Sequence, residues 1–119
     1  MEKVLGIGGL FFRADDPEGL AQWYLKQLGV SLVPQEANDA PWFNAEGVTV
    51  FAPFARETDY FGAEHQFMVN FRVRDLDEML AQLADAGHEA SHHDNMEGVG
   101  RFARVHDPEG NPVELWQPA

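Results

Sequence analysis

The chain has no cysteine, which excludes disulfides, thiolate zinc sites, iron–sulfur ligation and cysteine nucleophiles together. It also lacks any run of about 18 apolar residues, the length a membrane-spanning helix needs. Glu2 and Lys3 lead into no apolar run with a cleavage site, so no secretory signal is read and a cytoplasmic protein without a membrane partner is expected. Bases are scarce: 20 acids against 8 bases give a formal charge of −12, and the arginines form no basic run. Such a chain repels phosphate backbones, and nucleic-acid binding is not expected. Its acidity would help capture cations and equally serves plain solubility.

What is present fits one domain, since 119 residues are enough for one genuine core and not for two. The C-terminal stretch Asp107-Pro108-Glu109-Gly110-Asn111-Pro112-Val113-Glu114-Leu115-Trp116 is the most informative. Asp, Pro and Gly at its first, second and fourth places suit a type I turn, with Gly110 free to take positive φ on the way into a strand. In that strand Val113 and Leu115 point one way, while Pro112, Glu114 and Trp116 point the other. Glu114 is therefore either a solvated edge residue or a group aimed into a cavity.

Two segments read alike at an offset of 59 residues, matching Phe12 with Phe71, Arg13 with Arg72 and Asp16 with Asp75. Each is an apparent strand entering a helix. Asp16 suits an N-cap with Pro17 at the first helical position, and Asp75 with Glu78 makes a capping-box-like pattern. Leu20, Trp23, Tyr24 and Leu28 then share one helical face before Gly29; Leu76, Met79, Leu80 and Leu83 share another before Gly87. Trp23 and Tyr24 are read as packing groups. Further strand candidates are 30–33, 40–44, 47–52 and 101–106, whereas 35–39, 55–64 and 93–98 read as polar loops. Each half becomes strand, helix and about three strands, a tandem repeat. Phe67, Val69, Phe71 and Val73 alternate onto a face that a helix must bury, and the opposite face of that strand carries Met68, Asn70 and Arg72. Its counterpart carries Gly9, Phe11 and Arg13, a mixed surface suited to a cleft wall.

In the order and spacing of these motifs the chain resembles the vicinal oxygen chelate superfamily, which includes glyoxalase I, bleomycin-resistance proteins, extradiol dioxygenases and fosfomycin-resistance proteins. The residues that carry the resemblance are Gly8 to Phe12 running into Asp16 to Tyr24, the Leu28-Gly29 helix end, Phe71 to Asp77, and Asp107 to Leu115. The resemblance implies an α+β fold of two tandem βαβββ modules, about 4–60 and 64–118, whose curved mixed sheets surround a cleft, and it implies a homodimer. Metalloenzymes of the superfamily place one divalent-metal ligand at each of four inward strand positions, which correspond here to Gly9, Phe51, Met68 and Glu114. Only Glu114 retains a donor, so no metal and no other cofactor is expected.

Other residues offer alternatives. His65 precedes Met68 by three positions and would replace it only by a register shift that breaks the Phe67-to-Val73 alternation. His92 and His93 are adjacent and cannot share an ion from an extended segment; a solvated loop pair is expected. His106 shares parity with Phe102 and Arg104 and either looks into the cleft or caps the terminal turn. Glu114, desolvated near Trp116, Phe51 and Met68, would gain a raised pKa and serve as an acid or base; salt-bridged to Arg13 or Arg72, it would be inert. The candidate ligand-binding set is Phe11, Arg13, Phe51, Met68, Asn70, Arg72, His106, Glu114 and Trp116. Three readings stand: a metal-independent protein sequestering a small aromatic or cationic molecule, a lyase, isomerase or dioxygenase-like enzyme using Glu114 as acid, base or ligand of a divalent metal, and an interaction module with a vestigial cleft. One fold serves all three.

Overall fold

Asp16 and Asp75 open the two helices that their sequence surroundings predict. In the computed structural model, which describes residues 1–119, helix α1 spans Pro17–Leu28 and helix α2 spans Leu76–Asp85. Gly19 N donates to the Asp16 side chain and Glu78 N to that of Asp75, both at 3.0 Å, which satisfies a donor that each helix start would leave free. Neither helix is long and apolar enough to cross a membrane.

Strands β1 (Val69–Arg72), β2 (Ser91–Met96), β3 (Gly100–His106) and β4 (Pro112–Pro118) form one sheet in the order β1-β4-β3-β2. β4 is parallel to β1 and antiparallel to β3, which pairs antiparallel with β2. Alternation sends Ala103, Val105, Val113 and Leu115 to one face, where Leu76 and Leu83 of α2 complete the core. Tyr24 and Leu28 of α1 pack on its margin beside Phe71 and Val73.

Two groups of expectations change. Of the segment 93–98, read as a loop, most belongs to β2, whose side chains are all exposed; hairpin backbone pairing holds it without burial. The register slips between Ser91 and Asp94, and His92, at φ +52°, lies in that irregularity with both histidines exposed. In the first half, the strand candidates 30–33, 40–44 and 47–52, and the segment before Asp16, are neither strand nor helix. The helix that would cover such a sheet packs on the second-half core instead, leaving Phe11, Val33, Val48, Val50 and Phe51 exposed. Alternation fixes a strand only where one face is covered. The Cα radius of gyration, 15.3 Å, accordingly exceeds the roughly 13.5 Å of a compact domain this long.

The β3–β4 turn is the most densely bonded part of the chain. The Asp107 carboxylate accepts from Glu109 N at 2.9 Å, Asn111 N at 3.0 Å, Asn111 Nδ2 at 2.8 Å and the Tyr24 hydroxyl at 2.6 Å. Gly110 N donates to Asp107 O at 3.0 Å, and Gly110 sits at φ +80°, the left-handed exit that glycine takes without steric cost. Glu109 accepts from Asp15 N at 2.7 Å and Asp16 N at 3.0 Å, so the last turn of the chain also clamps the start of α1. Asp107→Ala is expected to cost about 3–5 kcal/mol, because it strips a buried acceptor from four donors at once. Urea unfolding measures this. Asp77→Ala, which breaks only an exposed pair with Arg101 at 2.6 Å, is the control expected to leave the midpoint in place.

Candidate functional site

The register of β4 decides what lies beside Glu114. Asn70 of β1 and Arg104 of β3 are its direct cross-strand partners, and Trp116 lies likewise between Arg72 and Phe102. These six residues share the sheet face opposite the core. Because β4 is an inner strand, Glu114 is no solvated edge residue; only 8% of it is exposed.

The Glu114 carboxylate is held on both oxygens. Asn70 Nδ2 donates to Oε1 at 2.8 Å, and the Tyr60 hydroxyl donates to Oε2. Tyr60 belongs to a loop, yet it engages Arg104 as well: Arg104 Nη2 donates to Tyr60 O at 2.6 Å, and the guanidinium carbon lies 5.3 Å from the centre of the tyrosine ring. Arg104 is 5% exposed, and its Nε has no hydrogen-bond partner. Arg104 and Glu114 are opposite each other, but the two ion pairs of the chain are His65 with Glu64 and Arg101 with Asp77. Tyr60 takes the place of a direct bridge. Beside this cluster the Trp116 indole stacks on Phe102, with planes 2° apart and centres 5.9 Å apart, and its Nε1 donates to Val99 O at 3.0 Å.

Partial burial first, and then the hydrogen bond to Glu114, push the Tyr60 hydroxyl up to about 12 from 10.0. The Tyr24 hydroxyl is also raised, by burial and then by its bond to Asp107. The neutral phenol is thus the form that folding selects.

Of the residues singled out from sequence, Asn70, Arg72, Glu114 and Trp116 come together on this face, with half-buried Met68 just before the start of β1. Arg72 does not reach Glu114. Its Nη2 and Nη1 donate to Ala45 O at 2.9 Å and Glu46 O at 3.2 Å, so the expected salt bridge is replaced by bonds to a loop. The guanidinium lies so close that a Cβ at Gly47 would meet Nη1 at 1.8 Å, so a larger residue there would push the arginine tip aside. Phe11 and Phe51 are 95% and 86% exposed, and Arg13 and His106 are exposed as well; none of these four joins the cluster. Neither alternative for His106 holds: it is exposed, and the turn is bonded by Asp107 instead. His65 pairs with Glu64 at 3.4 Å.

Two members of the cluster, Tyr60 and Arg104, lie outside the set read from sequence. Arg104 was within reach, because a hairpin that closes on Asp107 and Asn111 must set position 104 against 114. Tyr60 carries no comparable signal, since its contact depends on how a loop folds back. Nowhere do three or more His, Asp or Glu side chains converge, and the neighbours of Glu114 are hydrogen-bond donors and a guanidinium. That donor set does not fit a divalent cation. A cavity of about 340 Å³ lies elsewhere, by the end of α1 and the start of α2 with Trp42, Phe71 and Met79 in its wall; the polar groups converge at Glu114, which is covered by Tyr60.

A profile of the glyoxalase-like domain matches residues 9–116. The chain belongs to the glyoxalase-like domain family. Solved structures agree on the fold. A lactoylglutathione lyase from Agrobacterium tumefaciens is 18% identical, over 98% of this chain and 96% of that one, with a TM-score of 0.65. TnmS3, an antibiotic binding protein from Streptomyces sp. CB03234, is 20% identical over 87% and 88% of the two chains, with a TM-score of 0.55. TioX from Micromonospora sp. ML1 is 19% identical over 89% and 90%, also at 0.55. A search of curated proteins returns no match. The α+β fold of the glyoxalase, bleomycin-resistance and dioxygenase superfamily is therefore the fold of this glyoxalase-like chain.

Alkaline titration read by tyrosinate absorbance tests the cluster. Neither tyrosine is expected to ionise at 10.0, and Tyr60 is expected near 12. In Glu114→Gln the Tyr60 midpoint falls only part of the way, because burial is the larger cause. Since folding raises this acid, the associated stability is whole below about 10 and is lost as pH rises towards 12.

Proposed function

We propose that this glyoxalase-like protein binds a small aromatic molecule on the sheet face around Glu114, and does so without a divalent metal. One observation carries the reading: a carboxylate, a carboxamide and a guanidinium with a spare N–H are packed together beside a flat aromatic stack. Apolar and aromatic walls with a few fixed polar groups are the make-up of small-molecule sites. Stacking would supply affinity, and the polar groups orientation. The antibiotic-binding description of TnmS3, a protein of the same fold, supports the reading that the ligand is a small molecule. Acid–base chemistry by Glu114 is not part of the proposal, because both oxygens already accept hydrogen bonds and only donors and a guanidinium adjoin it.

The test is a thermal-shift and calorimetric panel of planar aromatic compounds, run before and after exhaustive dialysis against chelator. A ligand at a hundred times its Kd is expected to add about 2.7 kcal/mol of stability, unchanged by the chelator. A panel without a single hit would overturn the binding reading, and binding abolished by chelator would overturn its metal-free part.

The same reading includes a cytoplasmic setting, in keeping with the absence of cysteine, and a homodimer. The outer edge of β1 is unpaired, and the exposed run Val48, Val50 and Phe51 belongs to the same chain. Free strand edges and apolar patches of this kind are what a second copy covers. Sedimentation at micromolar concentration is expected to give twice the 13.3 kDa of the chain; a species of 13.3 kDa alone would refute the dimer.

A further inference from the structure

The Glu114 cluster is already filled, and what fills it has the shape of a ligand. The Tyr60 phenol donates to Glu114, its ring lies over the Arg104 guanidinium, and its backbone carbonyl accepts from Arg104 Nη2. Yet the residue is loosely held elsewhere. It remains 43% exposed, its loop has neither helix nor strand, its backbone N donates to Thr58 Oγ1 at 3.2 Å, and its aromatic neighbour is Phe54, at a tilt with centres 5.5 Å apart. Arg104, by contrast, is rigidly placed in β3 and keeps an unsatisfied Nε in a position 95% buried by the 5% exposure of its residue. A buried guanidinium N–H without an acceptor is costly. An acceptor supplied from outside would remove that cost.

We propose that Tyr60 is a built-in occupant of the site, and that the ligand which displaces it is an aromatic compound bearing both a free hydroxyl and a carbonyl oxygen. This rests on the aromatic-binding reading and names the chemistry of its ligand. The hydroxyl takes over the donor role towards Glu114 and the carbonyl the acceptor role towards Arg104, while the ring replaces the tyrosine ring over the guanidinium. A cationic ligand meets Arg104, and an anionic one meets Glu114. A neutral hydroxyaryl ketone satisfies both without repulsion. Because the occupant is tethered to the protein, it lowers the apparent affinity by the fraction of time that it stays closed.

A hydroxyacetonaphthone and its methyl ether, which lacks only the donor, form the test pair. The protein labelled with fluorotyrosine has two fluorine resonances, one for Tyr24 and one for Tyr60. Saturation with the hydroxy ketone is expected to move the Tyr60 resonance to the value of free fluorotyrosine and to leave that of Tyr24 in place. The methyl ether should bind about tenfold more weakly, since it leaves a charged acceptor without its donor. Tyr60→Phe, which keeps the ring and gives up the competing hydroxyl, should bind the hydroxy ketone several-fold more tightly. A Tyr60 resonance that stays put at saturation, equal affinities for the pair, or weaker binding by Tyr60→Phe would overturn the displacement and leave aromatic binding standing. Silence with both compounds in both proteins would also overturn it, and the binding reading falls with it only if the whole aromatic panel is silent too.

Discussion

Asp107 is the residue on which the arrangement of the site depends. Its carboxylate fixes Glu109 and Asn111 in one tight turn and receives the Tyr24 hydroxyl from α1. A turn fixed in this way sets the β3–β4 register, and register decides the face. A slip of one residue would carry Glu114 and Trp116 into the core and turn Val113 and Leu115 out. The pairing of Arg104 with Glu114 and of Phe102 with Trp116 is a direct consequence of where that turn closes. The same turn, through Glu109, positions the start of α1. Core, helix docking and site therefore share a single anchor near the end of the chain.

How much of this could be read beforehand follows from which interactions are local. Asp16 and Asp75 cap their helices through bonds spanning three residues, and Asp-Pro-Glu-Gly closes on itself; both were legible. So was the two-faced alternation of β4, because burial under α2 enforces it. Tyr60 was not legible. Its partner is 54 residues away, and nothing in a polar loop says where it will return. The strand candidates of the first half failed for a different reason: their alternation has no covering layer, since α1 spends its apolar face on the second-half core. β2 is the converse case, a strand with no buried face that owes its existence to a hairpin partner.

The sheet face opposite the core shows a division of labour between its two ends. Towards the β2–β3 hairpin, Phe102 and Trp116 stack closely, and the indole N–H is tied to Val99, so this end is a fixed wall. On the β1 side, Arg72 draws in the loop at Ala45 and Glu46, and Tyr60 drops onto Glu114 from a second loop. Loops supply one half of the surface and strands supply the rigid half. In such an arrangement the groups that line this face can change through the loops without disturbing the register that places the carboxylate.

The opposed pair Arg104 and Glu114 gives the physical reason to look for function here. Cross-strand neighbours of opposite charge, both almost fully buried, would gain most from direct contact, because a desolvated ion left without its counter-ion loses several kcal/mol. They do not make that contact. Tyr60 links them instead, its neutral hydroxyl on Glu114 and its backbone carbonyl on Arg104, and one guanidinium N–H is left without any acceptor. A fold optimised for stability alone would close the bridge or replace both residues with apolar ones, which is often neutral or stabilising. Keeping two opposite charges apart, Glu114 bonded to the hydroxyl and Arg104 to the backbone carbonyl of one residue on a partly exposed loop, makes sense where that residue can give way to another occupant. Unmet hydrogen-bonding capacity in a buried, rigid strand is thus the feature that distinguishes this face from a merely well-packed one.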